Sequence, residues 1–322
     1  MAVKFGVFVP QGWKLDLVNI ADPVEQYEAM TRVARVAEEV GFDSIWVYDH
    51  FHTVPFPTQE TTFECWAITA GLVRDTWRVR VGQMVTCNGF RNPALLAKMA
   101  STVDVMSQGR LICGLGAGWY EHEWRAYGYG FPDVPQRMGM FREACEIIYR
   151  MWTEDEPVFT GKYYSIDKPI NQPHGARKPH PEFWLGGGGE KVTLKLVAKW
   201  ADGCNIGAGN PDIVRQKIEV LRGHCADLGR DINEITVSTN IQNIHLLRAG
   251  EDPEQLPAWA VGRLTPEVYR QNVTALTLDQ FAERVEANIA AGASYINIYF
   301  TGLAYDQEPL RRFAQEVMPR FA

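Results

Sequence analysis

The sequence predicts a (β/α)8 barrel, and three observations carry that expectation. Eight short apolar, β-branched runs alternate with segments of helical periodicity along the chain. Such alternation implies a parallel sheet covered by helices, and eight units over ~250 residues or more is the count that closes a barrel. The rival, an open doubly wound sheet, usually shows G-x-G-x-x-G directly after its first strand, and that motif is missing here.

The elements follow in order. Val3–Val9 is a buried strand stopped by Pro10-Gln11-Gly12, and Pro23 opens a helix. On that helix Tyr27, Met30, Val33, Ala34, Ala37 and Val40 recur at spacings of three and four, with Asp22 as N-cap and Gly41 as stop. FDSIWVYDHF is the second strand and ends in charge. Phe63–Val73 reads as a helix, Val79–Thr86 as a strand, Pro93–Met106 as a helix, and Arg110–Leu115 as a strand entering a glycine-rich turn. Then come the strand Phe183–Leu185, the helix Lys191–Trp200, the strand within ADGCNIG, the helix Asp212–Leu228 and the strand Ile235–Leu247. Leu278–Ala291, Tyr295–Phe300 and Leu310–Val317 close the alternation as helix, strand and helix.

Two stretches break the repeat: 119–181 after strand four and 248–277 after strand seven. The first contains a helix around Phe141–Trp152 and a hairpin-like piece, PVFTGKYYSI; the second is rich in Pro, Gly and charge. Long insertions after barrel strands lie at the catalytic face, so both are expected to wall the pocket. The whole chain, 1–322, is then one insertion-bearing TIM-barrel domain.

The bulk properties fit a small-molecule enzyme. With 46% hydrophobic and 22% charged residues the chain has globular composition. A net charge of −7 without a basic stripe argues against nucleic acid as a partner. No run approaches the ~20 apolar residues of a membrane span. The opening MAVKFGVFVPQG reads straight into the fold and lacks signal-peptide features, so a cytoplasmic protein is expected. The six cysteines are far apart, which reads as buried, reduced thiols.

Chemistry gathers at the strand ends. Asp49-His50 follows strand two, where polar residues line a barrel's active site. His50 can take or give a proton near neutral pH, with Asp49 fixing its orientation or charge. The adjoining His52 makes a His-x-His pair, which raises a metal site. That site would need further ligands, yet the later strand ends read Gly114–Gly118, Gly186–Gly189, Asn205-Ile206-Gly207 and Tyr299–Gly302. These are glycine rather than ligand, so no metal is expected. Gly186–Gly189 leads into a helix expected to begin near Glu190-Lys191, which together offer N–H donors and a helix N-terminus to a phosphate. In the aromatic segment Trp119–Phe131, the residues Glu121, His122, Glu123 and Arg125 are candidates for cofactor or substrate contacts, against a plain reading as a helix packed on the rim.

The order FGVFVPQG, DSIWVYDHF, VGQMVT…FRNPALLAKMASTVDVMSQGRLICGLGAGWYEHEW, FWLGGGGEKVTLKLVAKWADGCNI resembles the luciferase-like monooxygenase superfamily, in particular its deazaflavin (coenzyme F420)-dependent oxidoreductase branch of actinobacteria. The resemblance spans nearly the whole chain and is weakest over 248–277. It implies that Gly187, Gly188 and Gly189 hold the cofactor phosphate and that Asp49 and His50 face its ring. It further implies a cis peptide at Met84-Val85 against the ring, with Ala117 and Gly118 beside the cofactor's side chain. Where the sugar-phosphate dehydrogenases of this family carry a glutamate after the fourth-strand glycines, this chain has Trp119. The acid then falls to Glu121 or Glu123, or the reaction needs none, and glucose-6-phosphate oxidation does not transfer automatically.

The resemblance thus implies an oxidoreductase moving hydride between F420 and a small organic substrate, with His50, Asp49 and Glu121 as catalytic candidates. It also implies a homodimer, and a separate F420 or flavin reductase as supplier of reduced cofactor. An FMN-dependent monooxygenase working on reduced flavin is the alternative within the superfamily. A non-catalytic flavin-binding barrel is the alternative from another class.

Overall fold

The computed structural model describes residues 3–261 and 265–321. Eight parallel strands form the barrel: β1 (Lys4–Phe8), β2 (Ser44–Val47), β3 (Arg80–Gln83), β4 (Leu111–Gly116), β5 (Glu182–Gly186), β6 (Gly203–Asn205), β7 (Thr236–Leu246) and β8 (Tyr295–Phe300). Each pairs with the next, and β8 pairs with both β1 and β7, so the sheet closes. Val7 lies opposite Ile298 across that seam, and Val237 opposite Cys204.

The outer helices are α1 (Pro23–Glu39), α2 (Cys65–Asp75), α3 (Pro93–Met106), α4 (Val134–Thr153), α5 (Thr193–Trp200), α6 (Pro211–Leu228), α7 (Leu278–Ala290) and α8 (Glu308–Glu316). Their starts follow local chemistry. Asp22, Asn92, Asp133 and Asn210 each cap a helix N-terminus, with proline in the first turn of the helix that follows. Thr277 and Gln280 make a reciprocal capping box at α7. The main apolar core lies between sheet and helices and includes Met30, Leu72, Leu96, Ile148, Val197 and Phe281. All six cysteines are buried and none forms a disulfide.

The barrel interior is filled by aromatic rings, which closes it as a passage. Trp46 and Trp184 lie 5.1 Å apart, centroid to centroid, and both pack on Tyr295. Gly82 and Gly203 make room for them: a Cβ at Gly82 would sit 2.4 Å from the Trp46 ring, and one at Gly203 2.5 Å from Trp184. Below this plug Arg80 bonds Asp43 and Glu182. The plug leaves the carboxyl-terminal mouth of the strands as the place for a ligand.

The predicted elements are present, with shifts of one to three residues at most boundaries. Strand three stops at Gln83 and resumes as the two-residue strand Thr86–Cys87, with the peptide Met84-Val85 between them cis. The helix α4 begins seven residues before the expected Phe141, at a cap from Asp133. The piece PVFTGKYYSI is an antiparallel hairpin, Val158–Thr160 with Ser165–Asp167. The second insertion is more ordered than its composition implied: Pro266–Asn272 is helical, and Thr274–Leu276 adds to β7 as a parallel strand. No helix among the described residues is long and apolar enough to cross a membrane.

Candidate active site

A cavity of about 410 Å³ opens at the carboxyl-terminal ends of the strands, a size suited to a small organic ligand. Tyr48, Asp49 and His50 enter it directly from β2. His50 is buried, with its ring flat on Trp13 at 4.2 Å and 1° between planes. Its Nδ1 lies 2.8 Å from Glu123 Oε2. Glu123 is fully buried, and its Oε1 accepts the backbone N–H groups of Phe51 at 2.7 Å and His52 at 2.8 Å. A carboxylate oxygen only accepts, so Nδ1 carries the hydrogen and Nε2 is the acceptor of the neutral ring.

Asp49 has a different task from the one expected. Its Oδ2 accepts from the Cys87 amide at 2.7 Å and from Arg91 Nη1 at 2.6 Å, and its Oδ1 accepts from Arg91 Nη2 at 3.0 Å. Arg91 also bonds Glu64. Asp49 therefore fixes the loop before α3 and does not orient His50. Burial pushes its carboxyl above the ordinary range, while the Arg91 charge and the Cys87 amide pull it back down. Burial also opposes the Arg91 charge, but its acidic neighbours raise that guanidinium overall.

Glu121 is corrected too. It lies on the outer face of the short helix Glu121–Ala126, half exposed, and pairs with Arg125 at 2.7 Å. Two residues further along the helix the side chain turns inward, so Glu123 enters the site in its place. His52 and His122 face each other outside the cavity, Nδ1 to Nδ1 at 2.9 Å. No group of three His, Cys, Asp or Glu able to hold a metal occurs among the described residues.

One wall of the cavity is built from small groups. Met84, Val85, Gly116, Ala117, Gly118, Gly186 and Gly187 line it. Val85 leans across the ends of β4 and β5: a Cβ at Gly116 would meet its Cγ2 at 2.5 Å, and one at Gly186 its Cγ1 at 2.8 Å. The missing side chains leave a smooth surface that a flat ring can approach. Gly187, at φ +119°, and Thr193 also line the cavity. Gly188 and Gly189 lie behind this lining, next to Lys217 and Thr193. The helix α5 starts at Thr193 rather than near Lys191, because 190–192 form a turn and Val192 offers no capping side chain. Its first residue, Thr193, lines the cavity, and Glu190 and Lys191 do not.

Sequence reasoning missed the opposite wall. Asn240 and Gln242 project from β7 and Asn205 from the end of β6, and Lys14 comes from the loop after β1. None belongs to a recognisable motif. Their only sequence signal is that Asn240 and Gln242 share one face of a strand by the two-residue period. Trp119 is 61% exposed at the mouth with its ring edge-on to His50 at 5.7 Å.

Comparison with known proteins agrees with this fold. The model of the luciferase-like monooxygenase family matches residues 3–260. A protein of Amycolatopsis mediterranei named F420-dependent glucose-6-phosphate dehydrogenase is 28% identical over 317 residues, covering 88% of this chain and 91% of its own. One of the same name from Intrasporangium calvum is 32% identical over 262 residues, 80% of this chain and 75% of its own. Among solved structures, an F420-dependent secondary alcohol dehydrogenase bound to an F420–acetone adduct superposes with TM-score 0.78 at 22% identity over the full length of both chains. The FMN-bound oxygenating component of 3,6-diketocamphane monooxygenase from Pseudomonas putida superposes with TM-score 0.74 at 17% identity, over 100% of this chain and 99% of its own.

Proposed function

The chain belongs to the luciferase-like monooxygenase family, and from that premise we propose that it is an F420-dependent oxidoreductase acting on a small organic substrate. The observation that carries the reading is His50, seated in the cavity with Nδ1 tied to the buried carboxylate of Glu123. A nearby wall of small residues faces the same space. That pairing of a smooth wall with one oriented imidazole suits a flat redox cofactor and a proton carrier beside it.

The residues fit such a group. Val85 fills the space left by the missing side chains at Gly116 and Gly186, which gives a flat face to a ring, and Thr193 at the start of α5 lines the cavity where that helix N-terminus would meet a phosphate. When bound, the deazaflavin would supply hydride chemistry. His50 takes the hydroxyl proton of an alcohol at Nε2, or returns one to a carbonyl. Glu123 stabilises the imidazolium that forms and keeps the ring in register. Trp13 supports the far face of the imidazole. Trp119 and Tyr120, stacked at 5.1 Å, cover the mouth and limit access of water.

The relatives named glucose-6-phosphate dehydrogenase do not carry their substrate across, because Trp119 stands where the resemblance gives sugar-phosphate dehydrogenases a glutamate. The reading includes a separate enzyme that returns the cofactor to its working redox state, and a cytoplasmic homodimer. An FMN-dependent monooxygenase is the second reading, favoured by the likeness to the FMN-bound oxygenase.

The test is His50→Ala, assayed on whichever alcohol or carbonyl of a screening panel the wild type turns over with F420. Cofactor affinity should persist while turnover falls by roughly tenfold or more. Unchanged turnover removes His50 from the mechanism.

A further inference from the structure

We propose that the β7 wall of the cavity binds a carboxylate of the substrate, through the amide groups of Asn240 and Gln242 backed by the ammonium of Lys14. This assignment rests on reading the cavity as the substrate site.

The argument begins with which way each amide must face. Lys14 Nζ has only hydrogens to give, and it donates to Gln242 Oε1 at 2.8 Å and to Asn243 Oδ1 at 2.8 Å. Gln242 therefore turns its carbonyl to the lysine and presents its NH2 to the cavity it lines. Two residues earlier on the same face, Asn240 Oδ1 accepts from Asn205 Nδ2 at 2.8 Å and from Asn297 Nδ2 at 3.2 Å. With its oxygen so engaged, Asn240 also offers its NH2 to the cavity. Neighbouring protein groups have fixed both amides as donors, and a wall of donors needs an acceptor.

The charge agrees. Among the described residues no carboxylate oxygen lies within 4.0 Å of Lys14 Nζ, which rests over the Tyr299 ring at 4.2 Å. Burial pushes this lysine down to about 8, with Asp16 acting in the opposite direction. An anion placed against the donors would restore the charge balance that burial removes. The wall holds one cation, and the buried carboxyl of Asp16 is near enough to act on it. That set suits a monoanion, which selects a carboxylate over a dianionic phosphate.

The experiment compares benzoate with its neutral isostere benzamide as probes of purified full-length protein, by calorimetric titration. Wild type should bind benzoate about tenfold more tightly, the scale of a charge-assisted hydrogen-bond set. Lys14→Met and the isosteric Gln242→Glu should each abolish that preference, weakening benzoate binding by about tenfold or more. Lys14→Arg should retain it. Equal affinities in wild type, no detectable binding of either probe, or a preference that survives in both Lys14→Met and Gln242→Glu would overturn the proposal. Repeating the titration with saturating F420 separates the two readings. Benzoate displaced by F420 would give the donor wall to the cofactor and overturn the proposal. Failure of F420 to bind at all would sink the cofactor reading while the benzoate preference stood.

Discussion

Glu123 Oε2 lies 2.8 Å from His50 Nδ1, while the other oxygen of the same carboxylate accepts the amide hydrogens of Phe51 and His52. One buried acid thus fixes both the imidazole and the backbone that carries it.

Glu123→Gln is expected to lower kcat by roughly tenfold or more with little change in cofactor affinity, because the neutral amide no longer stabilises an imidazolium. Glu123→Ala adds a stability loss of about 1 kcal/mol, since it strands two partly buried N–H groups. Glu121→Gln should leave turnover unchanged, for it removes only an exposed ion pair with Arg125. Steady-state kinetics with denaturant midpoints check all three variants, and equal losses at 121 and 123 would contradict the assignment.

Gly186→Ala tests the smooth wall. The added methyl would start 2.8 Å from Val85 Cγ1 and 3.1 Å from Cγ2, so Val85 must move into the cavity. We expect a destabilisation of about 1–3 kcal/mol and a larger proportional loss, at least tenfold, in cofactor affinity. Unaltered affinity would place the ring elsewhere.

Lys14 gives the wild type a pH signature. Its native pKa is lowered by burial to about 8 from an ordinary 10.5, so between those values the unfolded chain binds the extra proton. Stability from this group therefore rises with pH across that window and is lowest below it. Relative to Lys14→Met, wild type should gain of order 2 kcal/mol between pH 7 and pH 10. Urea midpoints measured at several pH values read this difference, which cancels the opposite trend of the buried thiols common to both proteins. A gap that stays constant with pH would contradict the assignment.

The fold was legible in sequence because its signals are local. The apolar runs at 3–9 and 295–300, and the caps Asp22 and Asn92 before Pro23 and Pro93, set the repeat without knowledge of partners. His50 was legible because strand-end position is itself a local property. Its partner was not. Nothing in the order Glu121-His122-Glu123 says which acid turns inward, and that depends on where the short helix sits over β2. Likewise Asp49 seemed the natural companion of His50, yet Arg91, 42 residues away, claims it. The donor wall was invisible for the same reason: Lys14 and Gln242 are 228 residues apart and meet only once β8 brings β7 and β1 to its two sides. The order within 265–276 was hidden by the surrounding stretch 248–277, rich in Pro, Gly and charge, although Thr265 and Pro266 form an ordinary capped start.

Anaerobic titration of the purified protein with F420 and with FMN, each oxidised and reduced, tests the central claim most directly. The account predicts saturable F420 binding that Gly186→Ala weakens, and FMN binding at least tenfold weaker. Tight FMN binding with no F420 binding would contradict it and make the chain a flavin-dependent monooxygenase.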